Sequence, residues 1–372
     1  MFPRFAKLAC ALPVLLFADW AVAGSQPVSA VRVSTDGRGF VVAPEDTPFV
    51  PWGFNYDHDA AGRLLEDYWH AEWPKVEEDF REMKDLGANV VRIHLQLGRF
   101  MQEPNEPNEA ALAQLTRLLD LARDRELYLN ITGLGCYHKQ DVPSWYDELS
   151  EQARWNVQAR FWEAVAARCA DSPAVFCYDL MNEPVVPGGR REPGEWLGPG
   201  FGGKHFVQFI TLDQDGRPRP EIARRWVRHL VAAIRRHDPD RLITVGLVPW
   251  SLDRPGLTSG FVPARIAPAL DFVSVHLYPE SDRLDEAMET LRGFAVGKPV
   301  VIEEMFPLKC SVAELELFIE RSQAVASGWL GFYWGRTPEE YRPTETIADA
   351  LTLGWLDLFK WKAEAMERQS LP

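Results

Sequence analysis

Two apolar runs in the 372-residue chain end on carboxylates. The run Ala174–Tyr178 leads into DLMNEP, residues 179–184, which carries Asn182, Glu183 and Pro184 side by side. Farther on, PVVIEEMF (residues 299–306) ends its own run on Glu303 and Glu304. A solvated glutamate needs no such delivery. If the fold sets these two strand ends across a common mouth, they form a pair suited to glycosidic bonds. One carboxylic acid protonates the leaving oxygen while the other, ionised, attacks the anomeric carbon. Adjacent strand residues face opposite ways, so only one of Glu303 and Glu304 should point into the mouth, and parity does not choose between them.

Other residues sharpen the pattern. Arg92 closes a third apolar run, VVRIHLQ. A buried arginine pairs with a carboxylate and lowers its pKa, as a nucleophilic glutamate requires. His276 and Tyr278 in FVSVHLYP are two apart and therefore share a strand face. Trp334, in WLGFYWGR, offers an aromatic surface to the apolar side of a pyranose. His94, His138 and Trp196 are weaker substrate-binding candidates, with loop packing as their alternative use. The histidines are scattered and the cysteines lack CxxC spacing, so no metal site is expected. Paired carboxylates supply both proton and nucleophile and need no cofactor.

Positioning such residues takes a particular scaffold. Eight short apolar runs read as strands: Val50–Tyr56, Ala88–Leu95, Leu127–Leu134, Ala174–Asn182, Leu242–Val248, Phe272–Tyr278, Pro299–Met305 and Trp329–Gly335. Helical periodicity fills most of the intervals, as in EAALAQLTRLLDLARDRE and EIARRWVRHLVAAIRRH, and a last helix follows in the tail. Parallel neighbours need crossover helices, and eight such units close into a barrel. The expected fold is α/β, a single (β/α)8 TIM barrel; a doubly wound open sheet is the alternative. VRVSTDGRGFVV, residues 31–42, reads as a small N-terminal β-hairpin. Two long loops, residues 57–74 and 185–219, belong on the barrel's C-terminal face, where barrel active sites are built.

The chain opens MFPRFAKLACALPVLLFADWAVAG, with Arg4 and Lys7 before an apolar run and small residues at 21–23. This is the layout of a signal peptide, residues 1–23, too short to span a membrane, leaving a catalytic domain over 24–372. Cys10 follows Lys7 too closely for a lipoprotein signal. The expected location is secreted or periplasmic. The formal charge is −14, and cleavage removes two positive charges and one negative, leaving −15. Such acidity argues against nucleic acid and anionic membranes as partners. Four widely spaced cysteines remain, and Cys177 reads as a buried thiol.

Taken in barrel order, these motifs resemble glycoside hydrolase family 5, within the retaining (β/α)8 glycosidases of clan A. The resemblance runs from about Val50 to Gly335. Asn182-Glu183-Pro184 is similar to the family's Asn-Glu-Pro at the end of the fourth strand. PVVIEEMF is similar to its apolar strand ending in Gly-Glu-aromatic, with Glu303 in the glycine place and Glu304 in the nucleophile's. The family's strand-two arginine matches Arg92, its His-x-Tyr matches His276 and Tyr278, and its strand-eight tryptophan matches Trp334. The resemblance implies a retaining β-glycosidase acting on glucan- or mannan-type chains, with carbohydrate as its partner. Glu183 is then the acid/base, and Glu304 the nucleophile, ionised by Arg92 and positioned by Tyr278. Asn182 binds the 2-hydroxyl, His276 orients the site and Trp334 lies under the reacting sugar. Retention requires the two carboxyl groups to stand roughly 5–5.5 Å apart. A non-catalytic carbohydrate-binding barrel and a transglycosylase are the alternatives. Many members end the third strand in a sugar-binding histidine. Here LYLNITGLGCYH has Gly133 or Leu134 at that point, with His138 a few residues late.

Overall fold

The computed structural model describes residues 28–370, apart from Gly256 and Thr344. The expected signal segment, with Cys10 and the cleavage point after Ala23, lies outside the described residues.

Eight strands close a barrel: β1 (Trp52–Tyr56), β2 (Val90–Gln96), β3 (Tyr128–Gly135), β4 (Val175–Asn182), β5 (Leu242–Leu247), β6 (Val273–His276), β7 (Val300–Glu304) and β8 (Gly328–Phe332). They pair in parallel in chain order, and β8 returns to β1. Near-continuous apolar sequence makes this possible, because barrel strands are buried on both faces. The helices between them are α1 (Trp73–Asp85), α2 (Glu109–Asp124), α3 (Glu151–Cys169), α4 (Arg219–Arg235), α5 (Pro263–Ile266), α6 (Leu284–Gly293), α7 (Val312–Ser322) and α8 (Ile347–Ser370). Caps fix several starts. Asn108 and Ser150 accept amides of the first turns of α2 and α3, and Ser311 and Glu314 form a capping box on α7. The expected barrel is therefore present. Strands β6 and β8 end two and three residues earlier than the sequence indicated, which leaves Tyr278 and Trp334 just past the sheet. Helices α5 and α6 are additions, the former a single turn.

The expected N-terminal hairpin is the first part of a three-stranded antiparallel sheet: Val31–Val33, Phe40–Val42 and Thr47–Phe49. It plugs the end of the barrel opposite the site described below. Phe40 meets Phe176 and Phe272 edge-on, each with centroids 5.3 Å apart, and Phe49 meets Tyr128 at 5.1 Å. Helix α8 covers β1 and β8: Phe359 stacks on Phe54 at 3.8 Å, and Trp355 donates its indole N–H to the Phe332 carbonyl at 2.9 Å. Cys136, Cys169, Cys177 and Cys310 are buried free thiols. Among the described residues no helix is long and apolar enough to cross a membrane.

Candidate active site

Arg92, in the middle of β2 and inaccessible to solvent, organises the C-terminal mouth. Its Nη1 donates to Glu304 Oε1 at 2.7 Å and to Asn55 Oδ1 at 2.8 Å. Its Nη2 donates to Asp179 Oδ2 at 2.7 Å and to Asn182 Oδ1 at 3.0 Å. A buried guanidinium without such partners would cost several kcal/mol. The Tyr278 hydroxyl donates to the other Glu304 oxygen at 2.7 Å. His276 Nδ1 stands 3.0 Å from Glu183 Oε1 and 3.4 Å from Glu304 Oε2. One oxygen from each carboxylate and the His276 ring nitrogen lie within 4.8 Å of one another. Three such groups at that spacing can also hold a cation, but one bound here would sit against the fixed charge of Arg92.

Backbone irregularities make this convergence possible. Val275 pairs with Ile302, yet His276 pairs with Glu304, so one residue of β7 is bulged. The bulge corrects the parity expectation: Glu303 and Glu304, although adjacent, both turn toward the barrel interior. Glu304 reaches the mouth, while Glu303 is wholly buried beneath it and accepts the Asn130 amide. A second register shift, between Thr244 and Gly246 of β5, lets Asp179 and Asn182 of β4 share Arg92 although they are three residues apart. A methyl group at Gly246 would stand 2.9 Å from His276 Nε2 and 3.1 Å from Arg92 Nη2, so only glycine leaves room for both. Glu183 itself has φ +47°, a conformation side chains rarely adopt, and its amide donates to the Gly246 carbonyl at 3.0 Å.

The charges interlock. Burial works against a charged His276, but Glu304, Glu183 and Glu303 together push it up to about 10. Burial would likewise favour a neutral Glu303, yet Arg92 and His276 hold it down at about 2. Asp179 is pushed up to about 6 by burial and by the Glu303 charge, against the pull of Arg92. Burial raises Glu304 above its ordinary value although His276 and Arg92 pull it down, so Arg92 does not bring about the net lowering that the sequence implied.

The sequence from residue 51 to 307 matches the model of the cellulase family, glycosyl hydrolase family 5. The chain belongs to this family. No curated protein matches the sequence, whereas many solved structures match the fold. An exo-β-1,4-mannosidase from Opitutaceae bacterium strain TAV5 superposes with TM-score 0.67 at 19% identity, over 91% of this chain and 63% of that one. The chain thus spans less than two thirds of that protein's length. An endo-1,4-β-mannanase from Rhizomucor miehei gives TM-score 0.62 at 17% identity, over 91% of this chain and all of that one. A β-mannanase from the blue mussel Mytilus edulis gives 0.60 at 16%, over 88% and 96%.

Within this family 5 barrel the remaining candidates separate. Trp334 is half-buried at the mouth, one face stacked on Phe332 at 5.3 Å. His94 lies level with the mouth and bonds the Tyr137 hydroxyl. His138 follows Tyr137 at the start of the 3-10 turn Lys139–Asp141, and among the described residues no hydrogen bond or ion pair joins it to the carboxylates. Trp196 is 1% exposed and packs the long loop after β4, donating to Asp147 at 2.7 Å, so packing rather than sugar contact is its use. Sequence reasoning missed Asn55, Asn130, Thr132 and Asp179. Asn130 and Thr132 alternate inside an apolar strand, a polar pair with one orientation that could have flagged them.

Proposed function

We propose that the protein is an exported, retaining β-glycosidase acting on β-1,4-linked mannan- or glucan-type chains. One observation carries the reading: Glu183 and Glu304 offer oxygens within 4.8 Å of each other, with Arg92 and Tyr278 on Glu304 and His276 on Glu183. That spacing supports the retaining reading, being nearer the roughly 5–5.5 Å expected of a nucleophile and acid/base pair than the wider separation of inverting pairs. Glu183 protonates the departing glycosidic oxygen while a Glu304 oxygen bonds to the anomeric carbon, and the C–O bond to the aglycone breaks. Glu183, now ionised, takes a proton from water, whose oxygen displaces Glu304 and restores the original configuration. Arg92 and Tyr278 steady the Glu304 charge before attack and after release. Asn182, fixed by Arg92 and by its own bond to the Phe206 carbonyl at 3.1 Å, is placed for the 2-hydroxyl. Mannan stands first among substrates because the structural neighbours described above act on it. Export rests on the N-terminal sequence, and a mature chain beginning at Gly24 would bear it out.

The test is a panel of β-mannans, β-glucans and aryl glycosides, with the anomer of the first product followed by NMR. A β-anomer from a β-linked substrate, at a rate indifferent to chelator, is expected. An α-anomer overturns retention, and loss of activity on chelation overturns the metal-free chemistry.

A further inference from the structure

The registers Phe332↔Asn55 and Asn55↔Arg92 set three residues of β8, β1 and β2 level with one another. Two residues on come Trp334 and Asp57, just past the ends of β8 and β1, and His94, still within β2. Each holds a buried polar atom with no protein partner: Trp334 Nε1, Asp57 Oδ1 and His94 Nε2. Their other polar atoms are engaged. Asp57 Oδ2 lies 2.8 Å from His58 Nδ1, and His94 Nδ1 bonds Tyr137. Burying such atoms unpaired carries a desolvation penalty that bound hydroxyl groups would relieve. Three of them on adjacent strands, one layer above Arg92, make a ligand-shaped set. Asp57 can only accept a hydrogen bond and the indole can only donate, a pattern that matches neighbouring hydroxyl groups of one sugar ring. The Asp57 charge also reaches Tyr278, the phenol that holds Glu304. This layer therefore borders the sugar that Glu304 would carry.

Beyond the layer the cleft is walled. Asp59 Oδ1 accepts the amides of Ala61 and Arg63 at 2.9 and 3.0 Å, and Oδ2 binds the Arg63 guanidinium, which stiffens the loop after β1. At the loop's tip a methyl group on Gly62 would stand only 3.4 Å from the Lys204 ammonium, so the two long loops meet there. Lys204 leads in turn to Phe206, whose carbonyl binds Asn182. A continuous rim runs from Asp57, across Gly62 and Lys204, to Asn182.

We infer that this rim closes the glycone side into a pocket for the terminal sugar of a chain, with Asp57 and His94 binding that sugar's hydroxyls, so that the enzyme cuts from the non-reducing end. The inference rests on the assignment of Glu304 as nucleophile, which fixes which sugar lies beside Asp57.

Reducing-end-labelled β-1,4-oligosaccharides of defined length test it first. The wild-type enzyme should shorten them stepwise from the unlabelled end; early labelled products of mixed internal length would overturn the pocket. The second test pairs the aryl β-glycoside cleaved fastest with its 4-deoxy analogue. Wild type should prefer the hydroxylated substrate at least tenfold in kcat/KM, and Asp57→Ala should erase most of that preference. A preference kept intact in the variant would overturn the role of Asp57. The product pattern needs no variant, so a poorly folding substitution leaves the inference testable. A wild-type enzyme that cleaves no β-glycoside at all defeats the underlying reading, whereas internal cleavage defeats only the pocket.

Discussion

Glu303 and Glu304 are neighbours with the same side chain and different tasks, which their surroundings decide. Glu304 has the Tyr278 hydroxyl and the Arg92 guanidinium at bonding distance and reaches the mouth. Glu304→Ala should cut kcat by about 10⁴-fold or more with the fold intact. Azide added to that variant should restore part of the rate and yield a product of inverted configuration; full activity in Glu304→Gln would move the nucleophile to another residue. Glu303 lies instead beneath the site, its carboxylate 3.7 Å from Arg92 Nε and 3.9 Å from His276 Nε2. Glu303→Gln keeps the shape and removes one of the charges that lift His276. His276 then loses its proton at lower pH, so the alkaline limb of the kcat/KM profile should move down by about one unit or more. A uniform loss of rate at every pH would mean that Glu303 only fills space. Stability follows the same sign. With a folded value near 10 against 6.5 for a free imidazole, His276 stabilises fully below pH 6.5, and the contribution drains as pH climbs toward 10. The gap in Tm between wild type and His276→Gln should close over that interval.

Among the elements, the sequence was most readable where periodicity alone decides. Apolar runs gave all eight strands to within a few residues, and α2 and α4 carry unmistakable apolar stripes. Helix α5 could not be read because a single turn has no period, and α6 because its ten residues bury only Leu284, Ala287, Met288 and Leu291. Site residues were legible where a motif ended a strand, as at Glu183, His276 and Glu304, or where a charge interrupted an apolar run, as at Arg92. Alternation failed at the bulges, which are set by contacts between strands and leave no mark in either strand's own pattern. That is why Glu303 was not foreseen facing inward, nor Asp179 sharing Arg92 with Asn182. The loop after β1 hides a further contact of this kind. Glu66, on its one-turn helix Leu65–Tyr68, accepts the Gln96 amide at 2.7 Å, and Gln96 accepts the Tyr137 amide at 3.0 Å, tying three loops together. Burial pushes Glu66 up to about 7 from an ordinary 4.5, so its ionisation opposes folding only as pH rises through that range. Glu66→Gln should therefore stabilise by roughly 1–3 kcal/mol at pH 8 and by little below pH 4.5, as measured by urea unfolding. Equal gains at both pH values would show that the charge is not the cause.

Across the whole molecule, chemistry and stability are assigned to opposite ends of one barrel. Apart from Arg92, which lies within β2, the residues placed in the mechanism sit at or just beyond the C-terminal ends of strands, where loops can change without unpicking the sheet. The other end is sealed by the small N-terminal sheet. Phe40 and Val31 bury themselves against Val90, Phe176, Leu242, Phe272 and Leu330, which lie within or just before β2, β4, β5, β6 and β8. The plug is further fastened by the Tyr128 hydroxyl on the Ser29 carbonyl at 2.7 Å and the Ser327 hydroxyl on the Arg38 carbonyl at 2.6 Å. Phe40→Ala removes a ring in edge contact with two others and leaves a cavity that the closed barrel cannot collapse to fill. The expected cost is about 3–5 kcal/mol of unfolding free energy. Because Phe40 packs at the end of the barrel opposite the mouth, kcat and KM on the preferred glycoside should stay within about twofold of wild type at temperatures where the variant remains folded. A matching fall in kcat would mean that strain at the barrel floor reaches Arg92 through β2, and that the two ends are mechanically one.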